Sequence, residues 1–444
     1  MKNKKMLFFT ILLTAFVMFL TACGSNDDEQ ASQGENQEDG QVTIEFWAST
    51  NPTQQAFWQE MADAFNAAQD KVQVEVSAMK ETPTSEAYIQ SALAGGEGPT
   101  LSENINRGFA AVLSDSKAIV PLNELEGWDE LIAARNMQET IEGWESADGN
   151  QYVLPIYSNS ILFGWRLDIL NELGFDEAPK TYSEVLAVAD ALKEKYPDKY
   201  VWSKGTDLVD PTAWKRWFDF FMLYNAASDG NQFVAGDDLV LDQDATLEVF
   251  EFVAALADKD AILTQEATDP FETGVGIFTD IGPWTIPYWA EKFPEMVFGE
   301  TYTLALPPVP DHMDPETAKT FADAKGIVIY ADTTEEERAA AMEFLTWVYT
   351  NPDHDMKWLE ETALPPARDD LGTNDAFAAY FDENPELKVY ADAVPLGVPP
   401  MEHVKYNEIQ THIGQAAFNK VVKGEIDPQQ ALADMIKAIE EELK

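Results

Sequence analysis

The chain has 444 residues, of which 79 are acidic and 29 are lysine or arginine, so its formal net charge is −50 at pH 7. This charge excludes nucleic acid and anionic membrane surfaces as favoured partners, because both are strongly negative. A hydrophobic fraction of 45% over this length is sufficient for a substantial core and indicates two or three domains.

The N-terminus has the layout of a secretory signal. Three early lysines precede an apolar run over residues 6–20, which is too short to span a bilayer comfortably. The tetrad Leu20-Thr21-Ala22-Cys23 follows and resembles the lipobox of bacterial lipoproteins, in which the cysteine thiol is acylated. We therefore predict a lipoprotein signal peptide at 1–22 and lipidation of Cys23. An ordinary signal followed by a buried free cysteine is the alternative.

The segment after the cysteine is predicted to be an acidic flexible tether, residues 23–40. It carries six acids, no base and almost no apolar residue, so it cannot bury enough surface to fold. The tether would link a lipid on Cys23 to a globular body. We therefore predict that the protein lies at the extracytoplasmic face of a bacterial cell membrane, which it contacts through this lipid.

The body begins with a strand, a helix and a second strand. Val42, Ile44 and Phe46 alternate with polar residues, an apolar face recurs at helical spacing over 57–65, and alternation returns over 72–76. Strands alternating with helices of this length indicate an α/β fold with a mainly parallel sheet covered on both faces.

Further helix starts are marked by capping residues. Thr181 with Glu184 and Thr334 with Glu337 form capping-box patterns ahead of apolar runs, and Asp427-Pro428 opens the last helix. Between the helical runs, residues 152–155, 275–280 and 301–306 have strand character.

Several ordered pieces together resemble a known family. In chain order they include Val42–Trp47, the turn Gly96–Pro99, the segments Asp148–Pro155 and Leu170–Phe175, Pro179–Glu184, Phe271–Gly274, Ile281–Trp284, and Ala341–Leu345. From residue 41 to the end, the chain resembles the extracellular solute-binding proteins of ABC importers, of the large, maltose-binding-protein-like type.

The resemblance implies a periplasmic-binding-protein-like fold, in which two discontinuous α/β lobes are joined by a three-crossover hinge. The lobes map to 41–154 plus 311–362 and to 160–305 plus 368–444, with hinge segments near 154–160, 305–311 and 362–368. Ligand would bind between the lobes and close the hinge.

The same resemblance implies that the protein is a membrane-anchored, monomeric receptor. It would bind a neutral sugar or oligosaccharide in the interlobe cleft and deliver it to an ABC permease. Two alternatives stay open: a binding protein for a phosphorylated polyol such as glycerol 3-phosphate, and an anchored glycosidase using paired carboxylates.

A neutral sugar requires flat aromatic platforms and polar side chains. Trp284, after Ile281-Gly282-Pro283, matches the stacking tryptophan of the family. The other candidate aromatic residues each have core packing as the alternative, and the polar candidates each have a solvated surface position as the alternative. These further candidates are Trp47, Trp214, Tyr406, Glu81, Asn104, Arg107, Tyr157, Asn159 and Asp280.

Motifs of catalysis and metal binding are missing from the sequence. It has no nucleophile elbow, phosphate-binding loop or HExxH helix, and its four histidines lack metal-ligand spacing. We therefore expect a binding protein rather than an enzyme, without cofactor or metal.

Overall fold

Two mixed sheets and a large set of helices form the body of the protein. The computed structural model describes residues 40–80, 84–209 and 213–444. The thirteen strands that it assigns there are β1 Val42–Ala48, β2 Val72–Ala78, β3 Leu101–Ile105, β4 Leu154–Ser160, β5 Leu162–Trp165, β6 Tyr200–Ser203, β7 Val234–Ala235, β8 Asp238–Leu239, β9 Ile262–Leu263, β10 Gly276–Ile281, β11 Thr303–Ala305, β12 Thr320–Ile329 and β13 Gly397–Val398.

The helices cover both sheets. They are α1 Pro52–Ala68, α2 Ser85–Gly95, α3 Arg107–Asp115, α4 Trp128–Arg135, α5 Gln138–Glu142, α6 Leu167–Leu173, α7 Tyr182–Lys195, α8 Gly205–Val209, α9 Phe220–Ala227, α10 Gln243–Asp258, α11 Thr285–Lys292, α12 Glu335–Tyr349, α13 Pro352–Thr362, α14 Asp375–Glu383, α15 Pro385–Ala393, α16 Tyr406–His412, α17 Asn419–Val422 and α18 Pro428–Glu442. Short 3₁₀ turns lie at Leu122–Glu124, Ala213–Phe218, Pro315–Thr317 and Val394–Leu396, and a π-helical segment lies at Ile413–Phe418.

The capping residues predicted from sequence begin the helices that follow them. Thr181 and Glu184 form a reciprocal capping box at α7, and Thr334 and Glu337 form another at α12. Asp427 accepts a hydrogen bond from the Gln430 backbone N–H at the start of α18. These starts could be predicted because each cap satisfies free backbone N–H groups within four residues of sequence.

The first sheet has the order β13-β12-β3-β1-β2, and β4 pairs with β12. β1 is parallel to β2 and β3, whereas β12 runs antiparallel to β3 and β4. The second sheet has the order β11-β5-β10-β6-β9, with β10, β6 and β9 parallel and β5 antiparallel to its neighbours. The predicted α/β class is confirmed, with antiparallel strands added to each parallel set.

The described chain passes repeatedly between the two sheets. β4 of the first sheet leads through Ile161 into β5 of the second, β11 returns to β12, and the segment between α13 and α14 passes from the first hydrophobic cluster to one beside the second sheet. The predicted lobe boundaries and hinge segments, which concern motion, stay predictions. β13 lies within the predicted second lobe yet pairs with β12 of the first sheet.

Candidate ligand-binding cleft

A cavity of about 390 Å³ opens between the two sheets. The first sheet supplies most of its wall, from the ends of β1 and β3 and from the paired strands β4 and β12. The turn between β10 and α11 of the second sheet supplies Trp284. The lining residues are Ser49, Thr50, Asn51, Gln54, Asn104, Tyr157, Asn159, Trp284, Asp323, Lys325 and Leu364. The cavity thus brings together four of the predicted site residues, Asn104, Tyr157, Asn159 and Trp284.

Trp284 is the aromatic surface of this cavity, and its side chain is 44% exposed. A Cβ atom on Gly282 would lie 2.2 to 2.5 Å from atoms of the indole ring, so only glycine lets the ring fold back against the turn. The ring of Phe218 meets the indole edge-on at 6.3 Å between centroids. The indole is therefore supported from the protein side and open to the cavity.

Asn104 has an unusual backbone conformation at the cavity wall. Its φ of 66° lies in the left-handed region, although it belongs to strand β3. Asparagine tolerates this region better than most residues, and such conformations cluster at functional sites. The neighbouring ladder is also irregular, since the pairing of β12 with β3 shifts register between Gly326 and Val328.

The paired strands β4 and β12 place four polar side chains together. Asn159 is opposite Asp323, and Tyr157 is opposite Lys325. Burial raises the pKa of Tyr157 well above its ordinary value, so the phenol stays a neutral hydrogen-bond donor. Burial also raises the pKa of Asp323, and the charge of Lys325 opposes that rise.

Asn159 offers an acceptor to the cavity. Its side chain is almost fully buried, and within the described residues its Oδ1 atom has no hydrogen-bond partner. A buried polar atom costs free energy when it has no partner, so a ligand hydroxyl or a water is expected to donate to it.

Sequence reasoning missed Glu103, which is fully buried directly behind the cavity wall. Its Oε1 accepts a hydrogen bond of 2.5 Å from the backbone N–H of Ser49, so it fixes the turn between β1 and α1. Burial raises the pKa of Glu103 to about 7, and the Ser49 hydrogen bond opposes the rise. The one sequence signal was an acidic residue at the centre of the short strand β3, which begins and ends with an apolar residue.

Trp47 does not lie on the cavity wall. Its indole N–H donates to Glu45 Oε1 at 2.7 Å, and its ring packs beside Tyr88 at 5.1 Å between centroids. The side chain is 6% exposed, because the strand end that carries it is covered by α2. The structure therefore places Trp47 in the core, which is the alternative that the sequence left open for it.

Arg107 and Tyr406 lie where the beginning of α3 contacts the segment 402–406. Arg107 donates to the Glu145 carbonyl at 2.6 Å and pairs with Glu402 at 3.3 Å, and it lines a separate cavity of about 530 Å³. The ring of Tyr406 covers Gly108, where a Cβ would lie 2.8 Å from ring atoms. Both side chains contact protein groups here rather than the cavity that contains Trp284.

Asp280 belongs to a buried charged cluster next to that cavity. Burial raises its pKa to about 6, Lys204 opposes the rise, and Asp207 and Asp219 add to it. Lys204 pairs with Asp219 at 2.9 Å, and Arg216 pairs with Asp219 at 2.8 Å. Asp280 is not among the residues that line the 390 Å³ cavity.

Three predicted residues fall outside the described structure. Cys23 and the tether precede its first residue, and Glu81 lies in the gap at 81–83. The side chain of Trp214 is likewise outside what the structure describes.

A second cavity, of about 530 Å³, is also lined by aromatic and polar side chains, but of the predicted site residues that the structure describes it contains only Arg107. A third cavity, of about 680 Å³, lies beside α10, and five of its eleven lining residues are acidic, including Asp242, Glu248 and Glu251. Among residues 40–80, 84–209 and 213–444, no group of three or more histidine, cysteine or acidic side chains is arranged to hold a metal ion. In the same ranges, no helix is long and apolar enough to cross a membrane.

The two sheets, the chain passages between them and the cavity at their junction define a binding protein of the two-lobed α/β class. Residues 60–388 match the family profile of bacterial extracellular solute-binding proteins. The chain belongs to this family, which confirms the predicted fold class and the prediction of a binding protein rather than an enzyme.

Solved structures are similar to this chain in fold. An uncharacterized protein from Listeria monocytogenes is 54% identical, with a TM-score of 0.89, covering 91% of this chain and 100% of that chain. The cyclic alpha-maltosyl-1,6-maltose binding protein from Arthrobacter globiformis is 20% identical, with a TM-score of 0.76 and coverages of 91% and 100%. A sugar-binding protein from Xanthomonas citri is 18% identical, with a TM-score of 0.71 and coverages of 90% and 97%. The last two similarities concern the fold.

Proposed function

We propose that the protein is a lipid-anchored receptor that binds a neutral sugar or oligosaccharide between its two lobes and delivers it to an ABC permease. The observation that carries the proposal is the half-exposed indole of Trp284 facing a cavity whose other walls are polar. An aromatic face packs against the C–H face of a sugar ring, while amide, hydroxyl and carboxyl groups meet its hydroxyls.

The charge within the cavity supports an uncharged ligand. Lys325 and Asp323 are of opposite sign, and the remaining lining residues are neutral. Burial raises the pKa of Asp323 and that of Glu103 behind it, which favours the uncharged form of both carboxyl groups. Proteins of the same fold from Arthrobacter globiformis and Xanthomonas citri are named as sugar-binding, which agrees with this proposal.

A phosphorylated polyol is less well supported. The basic residues that the sequence offered for a phosphate are engaged with acidic partners: Arg107 with Glu402, Arg166 with Asp168, Lys215 with Asp207, and Arg216 with Asp219. Among the described residues that line the cavity, Lys325 is the only base, and Asp323 of the same strand also lines it. A phosphate would therefore enter a site without a cationic cluster.

Calorimetric titration tests the ligand class. The purified protein is titrated with glucose, maltodextrins of two to four units, cellodextrins of two to four units, and glycerol 3-phosphate. We expect a neutral saccharide to bind and to be recovered unchanged. If glycerol 3-phosphate alone binds, the protein is a binding protein for a phosphorylated polyol instead. If a saccharide is cleaved, the protein is a glycosidase instead.

The variant Trp284→Ala tests the site. Removing a large aromatic contact should cost about 1.5 to 3 kcal/mol, which is roughly a tenfold to hundredfold loss of affinity. Val240→Ala is the matched control, because Val240 is 46% exposed and lies outside the cavity. Unchanged affinity of Trp284→Ala would remove this residue from the site.

Anchoring is proposed from the sequence and needs its own test. In membrane fractions of cells that express the protein, Cys23→Ala should move it from the membrane to the medium. Retention of the variant in the membrane fraction would contradict anchoring through this cysteine.

A further inference from the structure

A second exposed aromatic residue lies one helical turn beyond Trp284. In the described part of the chain, five large apolar side chains stand exposed: Val240, Trp284, Tyr288, Val297 and Val404. The two aromatic ones are four residues apart, and Tyr288 is 49% exposed. Single exposed apolar residues are common, but a pair of exposed aromatic residues, one of which lines a ligand cavity, indicates a binding surface.

The geometry puts both rings on one face of the helix. Trp284 is the N-cap of α11 and has helical dihedral angles, φ −63° and ψ −17°. Residues four apart on a helix are neighbours, with Cβ atoms about 5 to 6 Å apart. Tyr288 therefore follows Trp284 along one side of α11, outside the residues that line the cavity.

Each ring is supported by the protein. Trp284 folds back over Gly282 and meets Phe218 edge-on. The ring of Tyr288 packs against Phe293 at 5.9 Å between centroids, with an angle of 59° between the ring planes. A ring supported in this way loses little conformational freedom when a ligand stacks on it.

We propose that Tyr288 is a second stacking platform, which binds a sugar ring next to the one held at Trp284. This inference rests on the proposed function and narrows it, because the ligand would then be an oligosaccharide of at least two units that extends out of the cavity along α11. Because the Cβ atoms of residues four apart on a helix lie about 5 to 6 Å apart, one extended ligand can contact both side chains. The occupant is the continuing sugar chain, because Tyr288 lies one helical turn beyond Trp284, which lines the cavity.

Chain-length dependence tests the inference. Affinities for the maltodextrin and cellodextrin series of one to four units are measured on the wild type, Tyr288→Ala, Tyr288→Phe and Trp284→Ala. Tyr288→Ala should weaken binding of the longer members about three- to tenfold, the range of an aromatic contact. It should leave the shortest ligand that binds unaffected, and Tyr288→Phe should restore the affinity because it keeps the ring.

The control is Val297→Ala, which truncates another exposed side chain of the same region and should leave every affinity unchanged. If Trp284→Ala weakens binding but Tyr288→Ala changes no ligand of any length, the platform is refuted while the proposed function stands. That result would also leave Tyr288 free for contact with a protein partner. If no saccharide binds the wild type, the proposed function and this inference fail together.

Discussion

Replacing Asp355 by asparagine should destabilise the protein strongly, because Asp355 neutralises two buried arginines. Arg135 is fully buried and pairs with Asp355 at 3.0 Å, and Arg368 pairs with the other carboxylate oxygen at 3.1 Å. Arg135 also donates to the carbonyls of Pro155 and Ile156 at 2.5 and 2.7 Å. The network therefore joins α13 to the beginning of β4.

The magnitude follows from what asparagine leaves behind. Its amide has a single acceptor oxygen and carries no charge, so Arg135 would remain buried without a counter-ion. Breaking a buried pair by removing one partner costs about 3 to 5 kcal/mol. Arg368 keeps its second partner, Asp370, at 2.9 Å, so we expect the lower half of that range.

Urea unfolding of the purified protein measures the loss directly, with the midpoint lowered and the slope unchanged. Lys180→Ala is the control, because its pair with Glu316 is exposed and should contribute no more than about 1 kcal/mol. A loss below about 1 kcal/mol in Asp355→Asn would refute the view that this network holds β4 in place.

Two further predictions concern the cleft. Gly282→Ala should displace the indole of Trp284 and lower ligand affinity toward that of Trp284→Ala. Gly95→Ala is the control, because an added Cβ there meets open space and should leave the affinity unchanged. Equal affinities of Gly282→Ala and the wild type in calorimetry would contradict this prediction. The pKa of Glu103, raised from 4.5 to about 7 by burial, means that the folded state holds a proton more tightly than the unfolded chain, so the stability contributed by this group is greatest below pH 4.5 and falls as pH rises toward 7. Glu103 contributes a fall of about 3 kcal/mol in the free energy of unfolding. Urea unfolding at pH 5 and pH 8 should show a smaller difference between the two free energies of unfolding in Glu103→Gln than in the wild type. Identical differences would refute the raised pKa of Glu103.

The sequence predicted those features that depend on nearby residues. The capping boxes at Thr181 and Thr334 act within one helical turn, and the Gly-Pro-Trp turn before α11 is a local motif. Contacts between distant segments could not be read in the same way. Arg107 pairs with Glu402 across 295 residues of chain, so its engagement by an acid was invisible from the loop that contains it.

Strand faces were a second source of error. Trp47 ends an apolar strand, and only the position of α2 decides that its ring packs beside Tyr88. Glu103 lies in β3 of the same sheet, and its carboxylate reaches the Ser49 backbone, which is 54 residues earlier in the chain. Hydrophobic alternation assigns residues to the two faces of a strand, but it does not reveal which end of the strand meets a ligand.

Under the proposed function, the contrast between the surface and the cleft explains how so acidic a protein would select an uncharged ligand. The acids on its surface are hydrated, and their long-range field favours cations over anions without distinguishing one neutral solute from another. Selection must then come from short-range contacts in the cavity: the face of Trp284, the phenol of Tyr157 as a donor, and the free Oδ1 of Asn159 as an acceptor. Because a buried acceptor without a partner is costly, a solute that lacks a hydroxyl at this point is rejected more strongly than its size alone would suggest.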